Sequence, residues 1–214
     1  MTLGVNVYTN LANLKWLINP DIFQPHCHQT RTLLIVILFL INLLPQAIAG
    51  ESSSKIFFGE DYAYYLKAPE GWMLDQSGGI NQDVPAVFYP QGSSWSEATT
   101  VMYTTAAYLD GLKNKDIDDV IESNEDYFEE RSQDIKIDKK DSIKIEGGKK
   151  EAKIVYFLND SHGNHEAVAY IEEEKVVVMI VLSSRTQQDF YMSLNRFEEL
   201  VRSYQWVSDR IETK

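Results

Sequence analysis

Seven consecutive apolar residues, Val176-Val177-Val178-Met179-Ile180-Val181-Leu182, constrain the fold more than any other stretch of the chain. Most are β-branched, and side chains on a strand alternate between its two sides, so a strand of this composition is covered on both faces. The chain must therefore supply a sheet around it and a layer over each face of that sheet. Neighbouring segments supply strands. Glu166 to Ile171 returns across Glu172-Glu173-Glu174, and Ala152 to Leu158 is a further apolar strand. Ahead of it, Ile135, Ile137, Ile143 and Ile145 alternate with charged residues before the turn Gly147-Gly148. Earlier strands are expected at Tyr62 to Leu66, Ala86 to Tyr89 and Thr99 to Ala106.

Two segments carry helical period. From Asp116 to Arg131 the residues Ile117, Val120, Ile121, Tyr127 and Phe128 form an apolar stripe interrupted by Asn124, with Asp116 as N-cap. From Thr186 to Tyr204 the stripe is Phe190, Leu194, Phe197, Val201 and Tyr204, opened by Thr186-Gln187-Gln188-Asp189 in the form of a capping box. Strands, helix, four consecutive strands and a last helix make an α+β fold: an antiparallel meander sheet with helices packed on it.

The N-terminal part reads differently. Residues 33 to 44 hold one polar residue in twelve and are followed by Pro45 and Gln46-Ala47-Ile48-Ala49-Gly50. A membrane span needs about 20 residues, so this run fits the core of a secretory signal with an Ala-x-Ala cleavage site at Ala49. The expected organisation is a signal peptide over residues 1–49, its true start later than Met1, and a single domain over residues 50–214. The expected location is periplasmic or secreted, with no stable membrane anchoring after cleavage. Of the chain's 20 basic and 32 acidic residues, only Lys15, Arg31 and Asp21 lie before Gly50, so the remainder carries 18 and 31, a formal charge of −13. Charge of that sign repels nucleic acid and anionic lipid. Cys27 leaves with the leader, which excludes thiol catalysis, Cys-ligated zinc and disulfides from the mature chain.

Tyr64-Tyr65-Leu66-Lys67-Ala68-Pro69-Glu70-Gly71-Trp72 and Phe197-Glu198-Glu199-Leu200-Val201-Arg202-Ser203-Tyr204 resemble the opening strand and terminal helix of the PsbP-like superfamily. That resemblance implies an α/β/α sandwich shared with a Ran-binding nuclear-transport factor and with exported bacterial proteins of unknown role. It implies packing roles for Pro69, Gly71, Trp72 and Ser203-Tyr204, and no common activity.

Ligand-type side chains gather in Asp160-Ser161-His162-Gly163-Asn164-His165-Glu166. Asp160, His162, His165 and Glu166 are the candidate ligands for zinc or copper, and the basis of an alternative reading as a metal-dependent hydrolase. The same residues are ordinary hairpin-loop chemistry. His-Glu-x-x-His is not met, because Ala169 stands in the second histidine's place. No other cofactor is expected.

Two candidate binding surfaces remain. The first helix carries eight carboxylates from Asp116 to Glu130, among them Asp118, Asp119, Glu122, Glu125 and Asp126, either a solvated face or a patch for a basic partner. An EF-hand loop is excluded, because Ile121 and Tyr127 occupy its sixth and twelfth positions. Trp95, in the small-residue loop Gln91 to Ser96, is either an exposed contact or a ring folded over the sheet. Ser77 to Asn81 reads as a mobile connection. The sequence thus points to an exported, non-enzymatic accessory or binding module whose partner is a protein or a small ligand.

Overall fold

The computed structural model describes residues 54–59, 61–79, 84–111 and 114–209. The expected leader and cleavage site lie outside these residues, as do the residues after Asp209. Ten strands form two antiparallel sheets. The smaller has the order β1 (Ser54–Phe58), β2 (Ala63–Lys67), β10 (Gln205–Ser208). The larger runs β3 (Trp72–Asp75), β4 (Ala86–Pro90), β5 (Thr100–Tyr108), β9 (Val176–Ser184), β8 (His165–Glu172), β7 (Lys150–Leu158), β6 (Lys136–Ile145). The α-helices among the described residues are α1 (Ile117–Arg131) and α2 (Gln187–Arg202). The fold is α+β, as the element order predicts, with two sheets where the sequence suggests one.

Strand β9 lies at the centre of the larger sheet. Val176, Val178, Ile180 and Leu182 enter one core with α2 and the smaller sheet, while Val177, Met179 and Val181 enter a second core beneath α1. Both sides of the strand are thereby covered, which is why it contains no polar residue over seven positions. Helix α1 docks through Ile117, Val120, Ile121, Tyr127 and Phe128, and the rings of Phe128 and Phe157 stack at 4.3 Å. Asn124, the polar break in its stripe, is buried and donates to the Tyr170 hydroxyl at 2.8 Å. An unpaired amide there would cost free energy; this one has a partner.

Helix α2 buries Phe190, Phe197, Leu200 and Val201 on the opposite side of the sheet. Half of its expected capping box is present. Thr186 Oγ1 accepts from the Asp189 amide, but Asp189 accepts from the Thr99 hydroxyl rather than from the Thr186 amide. At the other end Ser203 accepts from the Lys67 amide at 3.0 Å, which joins the helix terminus to β2. Tyr204 is fully buried and stacks on Tyr64.

The four isoleucines of the β6 region do not share one face, although all are odd-numbered. Ile135 and Ile137 pack toward α1, whereas Ile143 and Ile145 enter the α2 core. A register shift between Lys140 and Ile143 adds one residue to β6, and a one-residue offset turns every later side chain to the other side. Two expectations for loops and ends also change. Residues Ser54 and Lys55 open β1, ahead of the first strand expected at Tyr62 to Leu66, and the segment after α2 continues into β10. The connection after β3 is fastened: Asp75 Oδ1 accepts from the Ser77 amide and hydroxyl and from the Gly78 amide. Those bonds, the Ser77 hydroxyl foremost, hold the Asp75 carboxyl below its ordinary pKa.

Candidate functional site

Of the four candidate metal ligands, Asp160 and His162 lie in the loop joining β7 to β8, and His165 and Glu166 open β8. Asp160 is buried and its Oδ1 accepts from the amides of His162 and Asn164 at 2.8 and 3.0 Å. Its role is to hold the turn, with Asn159 and Gly163 at positive φ. His162 sits at the tip, Nδ1 3.1 Å from the Ser161 hydroxyl. Strand alternation then separates the remaining two. His165 turns toward α2, its ring 6.0 Å from that of Phe190, and its Nδ1 has no hydrogen-bond partner among the described residues. Glu166 turns to the opposite side of the sheet, where its carboxylate accepts from the Ser183 hydroxyl at 3.0 Å. One ion cannot take both His165 and Glu166 as ligands from opposite sides of one sheet. Among the described residues no three His, Cys, Asp or Glu side chains are grouped to hold a metal. The expected four-residue centre is therefore not assembled.

Helix α1 presents its carboxylates away from the sheet. Asp116 is the N-cap, accepting from the amides of Asp118 and Asp119. Asp118 pairs with Lys153 at 2.7 Å, Asp119 accepts from the Lys115 amide, and Glu125 pairs with Lys139 at 2.9 Å. Glu122, Asp126 and Glu129 are exposed and have no ion-pair partner among the described residues. Their spacing of four and three residues sets them on one outward stripe. The five acidic candidates thus divide by environment. Asp118 and Glu125 are neutralised by lysines of β7 and β6, Asp119 closes the helix start, and Glu122 and Asp126 stand free beside Glu129.

Trp95 is half-buried and meets Tyr103 edge to face, ring centres 6.5 Å apart. It folds back over the core beneath α1, the second of the two outcomes weighed from sequence. Burial pushes the Tyr103 phenol well above its ordinary value, and the Glu166 charge adds to that. A cleft of about 500 Å³ opens where the start of α1 meets β6, β7 and β8, lined in part by Asp116, Asp118, Ser142, Lys150, Lys153 and Glu172. Most of its charges are committed internally, Lys153 to Asp118, Lys150 to Glu173 and Glu172 to the Ile117 amide, while Glu151 is exposed.

One surface escaped the sequence reading. On the outer side of the smaller sheet Ile56, Phe58 and Val207 are about half or more exposed. The signal was present in Lys55-Ile56-Phe57-Phe58, an apolar run masked by the serines that precede it.

No family model matches the sequence, and no curated protein matches it. Solved structures do. Cyanobacterial PsbP (CyanoP) from Synechocystis sp. PCC 6803 aligns with a TM-score of 0.48 at 14% identity, over 74% of this chain and 95% of that one. The Ran-binding protein Mog1p of Saccharomyces cerevisiae aligns with a TM-score of 0.44 at 14% identity, over 73% and 97%. Neither assigns a role to any residue of this chain.

Proposed function

We propose that this protein is an exported accessory module that binds another protein, and that the outward stripe of α1 meets a basic surface on that partner. The carrying observation is the carboxylate set Glu122, Asp126 and Glu129, exposed on one line of the helix and without an ion-pair partner among the described residues, while Asp118 and Glu125 are paired with lysines. Like charges three and four residues apart cost a helix a few tenths of a kcal/mol each, a cost that a cationic partner would reverse. Such a contact steers association and weakens as salt rises. Export is supported by the twelve-residue apolar run and the Ala47-Ile48-Ala49 site.

The test is capture from the native exported fraction, using the protein as its host processes it beside a Glu122→Gln, Asp126→Asn, Glu129→Gln variant. A partner retained by the parent at low salt, and lost both from the variant and at high salt, is the expected result. Equal recovery by parent and variant sinks the assignment of the stripe. N-terminal sequencing checks the export step, and a start before Leu33 would overturn cleavage at Ala49.

A further inference from the structure

Among the described strands the two sheets present four edges, and three of them carry features that discourage pairing. Strand β6 has Lys136, Lys139, Lys140 and Lys144 together with its register shift. Strand β10 is four residues long and shifts register between Trp206 and Ser208, and β3 is four residues long. Lysines, bulges and short length are the usual devices that keep an edge from adding strands. Strand β1 departs from this. It runs Ser54–Phe58 in unbroken register with β2, and three of its residues in succession are apolar. Phe58 is 65% and Ile56 51% exposed on the outer side, with Val207 at 49% on the same sheet. Its one charged residue, Lys55, is exposed and has no ion-pair partner among the described residues.

We propose that β1 is a strand-addition site, taking antiparallel an extended segment of another protein with three consecutive apolar residues followed by an acidic one. Antiparallel alignment sets the apolar three across from Phe58, Phe57 and Ile56, and the acid across from Lys55. The side chains facing Ile56 and Phe58 cover the exposed outer surface, and the backbone groups on the free side of β1 gain ladder partners. Lys55 fixes the chemistry of the fourth position, because opposite charges directly across a ladder attract and like charges repel. A second copy of this chain fits poorly. Antiparallel pairing centred on Ile56 would set Lys55 across from a phenylalanine, and each chain carries a formal charge of −12 before any processing. The site is separate from α1, so its test is independent of the acidic stripe.

The probe is a capped, labelled peptide, Ser-Val-Val-Val-Glu-Ser, with Ser-Val-Val-Val-Lys-Ser and Ser-Val-Pro-Val-Glu-Ser as controls, titrated by fluorescence anisotropy into the protein as its host processes it. The Glu peptide is expected to bind about fivefold more tightly than the Lys peptide, and the Pro peptide to lose binding. Backbone hydrogen exchange should slow over residues 54–58 when the Glu peptide is bound. The Ile56→Lys, Phe58→Lys variant should lose binding, and the Glu122→Gln, Asp126→Asn, Glu129→Gln variant should keep it. Equal affinity for the Glu and Lys peptides, protection that falls away from β1, or absence of binding overturns the proposal. Should the lysine variant unfold, the exchange map of the parent protein decides alone.

Discussion

The Tyr204 hydroxyl donates to the Glu173 carboxylate at 2.9 Å, across 31 residues of sequence, and Glu173 also pairs with Lys150. The bond joins Tyr204, between the end of α2 and β10, to the turn between β8 and β9, so the last helix, the smaller sheet and the centre of the larger sheet meet at one buried carboxylate. Burial first, and then the Glu173 charge, push the Tyr204 phenol far above its ordinary value. Hydrogen bonds to charged groups contribute about 1.5–3 kcal/mol. Tyr204→Phe should lower the unfolding free energy by about 2 kcal/mol in urea melts, with the m-value unchanged. An unaltered midpoint would mean that the hydroxyl contributes nothing net.

The buried phenols give the protein an alkaline limit. Burial, with a smaller contribution from Tyr108, raises Tyr62 from 10.0 to about 12, and burial raises Tyr64 further still. A phenol whose pKa is higher folded than unfolded holds its proton more tightly in the native state. Its stabilisation is complete below pH 10 and is lost as pH rises from there toward 12 and beyond. Denaturation midpoints should be flat on the approach to pH 10 and then fall. Tyr62→Phe should make that fall shallower, while tyrosinate absorbance appears together with unfolding.

Phe128 and Phe157 are stacked at 4.3 Å with both rings buried. Phe128→Ala should cost about 3–5 kcal/mol, as large-to-small changes at buried aromatics do. Gln at the exposed Glu122 should stay within about 0.5 kcal/mol of the parent. Thermal melts of both variants check whether α1 is held by its inner face alone.

In the β7–β8 loop the carboxylate matters more than the imidazole. Asp160→Ala removes the acceptor for two amides and should destabilise by about 1–3 kcal/mol. His162→Ala, at the loop tip, should change stability by no more than about 0.5 kcal/mol. Calorimetric titration with zinc should give the same heat for the parent and for a His162→Ala, His165→Ala variant. A heat present only in the parent would contradict the separation of these side chains.

Legibility from sequence followed the strength of the periodic signal. Val176 to Leu182 announced a central strand because no other environment accepts seven apolar residues on alternating sides. The α1 stripe was readable down to Asn124, whose burial followed from its position and whose partner, Tyr170, could not be seen. What escaped were features set by pairing between distant segments. Ile143 looks like a continuation of Ile137 until the extra residue in β6 is counted against β7. Strand β10 is four residues of mixed character, and only its pairing with β2 makes it a strand. The histidine loop left a metal centre and ordinary hairpin chemistry both open for a related reason. Neighbours in sequence, His165 and Glu166, are on opposite sides once the segment is known to be a strand.

The order in which the chain is made bears on the smaller sheet. Strand β2, near the beginning of the described chain, pairs with β10 at its end, and β5 pairs along its whole length with β9. A ribosome, or a channel that passes the chain from its N-terminus, therefore releases β1 to β5 well before β9, the second neighbour of β5, exists. Neither sheet is complete until Val176 to Ser208 has emerged. A copy that stops short of Tyr204 leaves Tyr64 without the ring that stacks on it from the end of the chain.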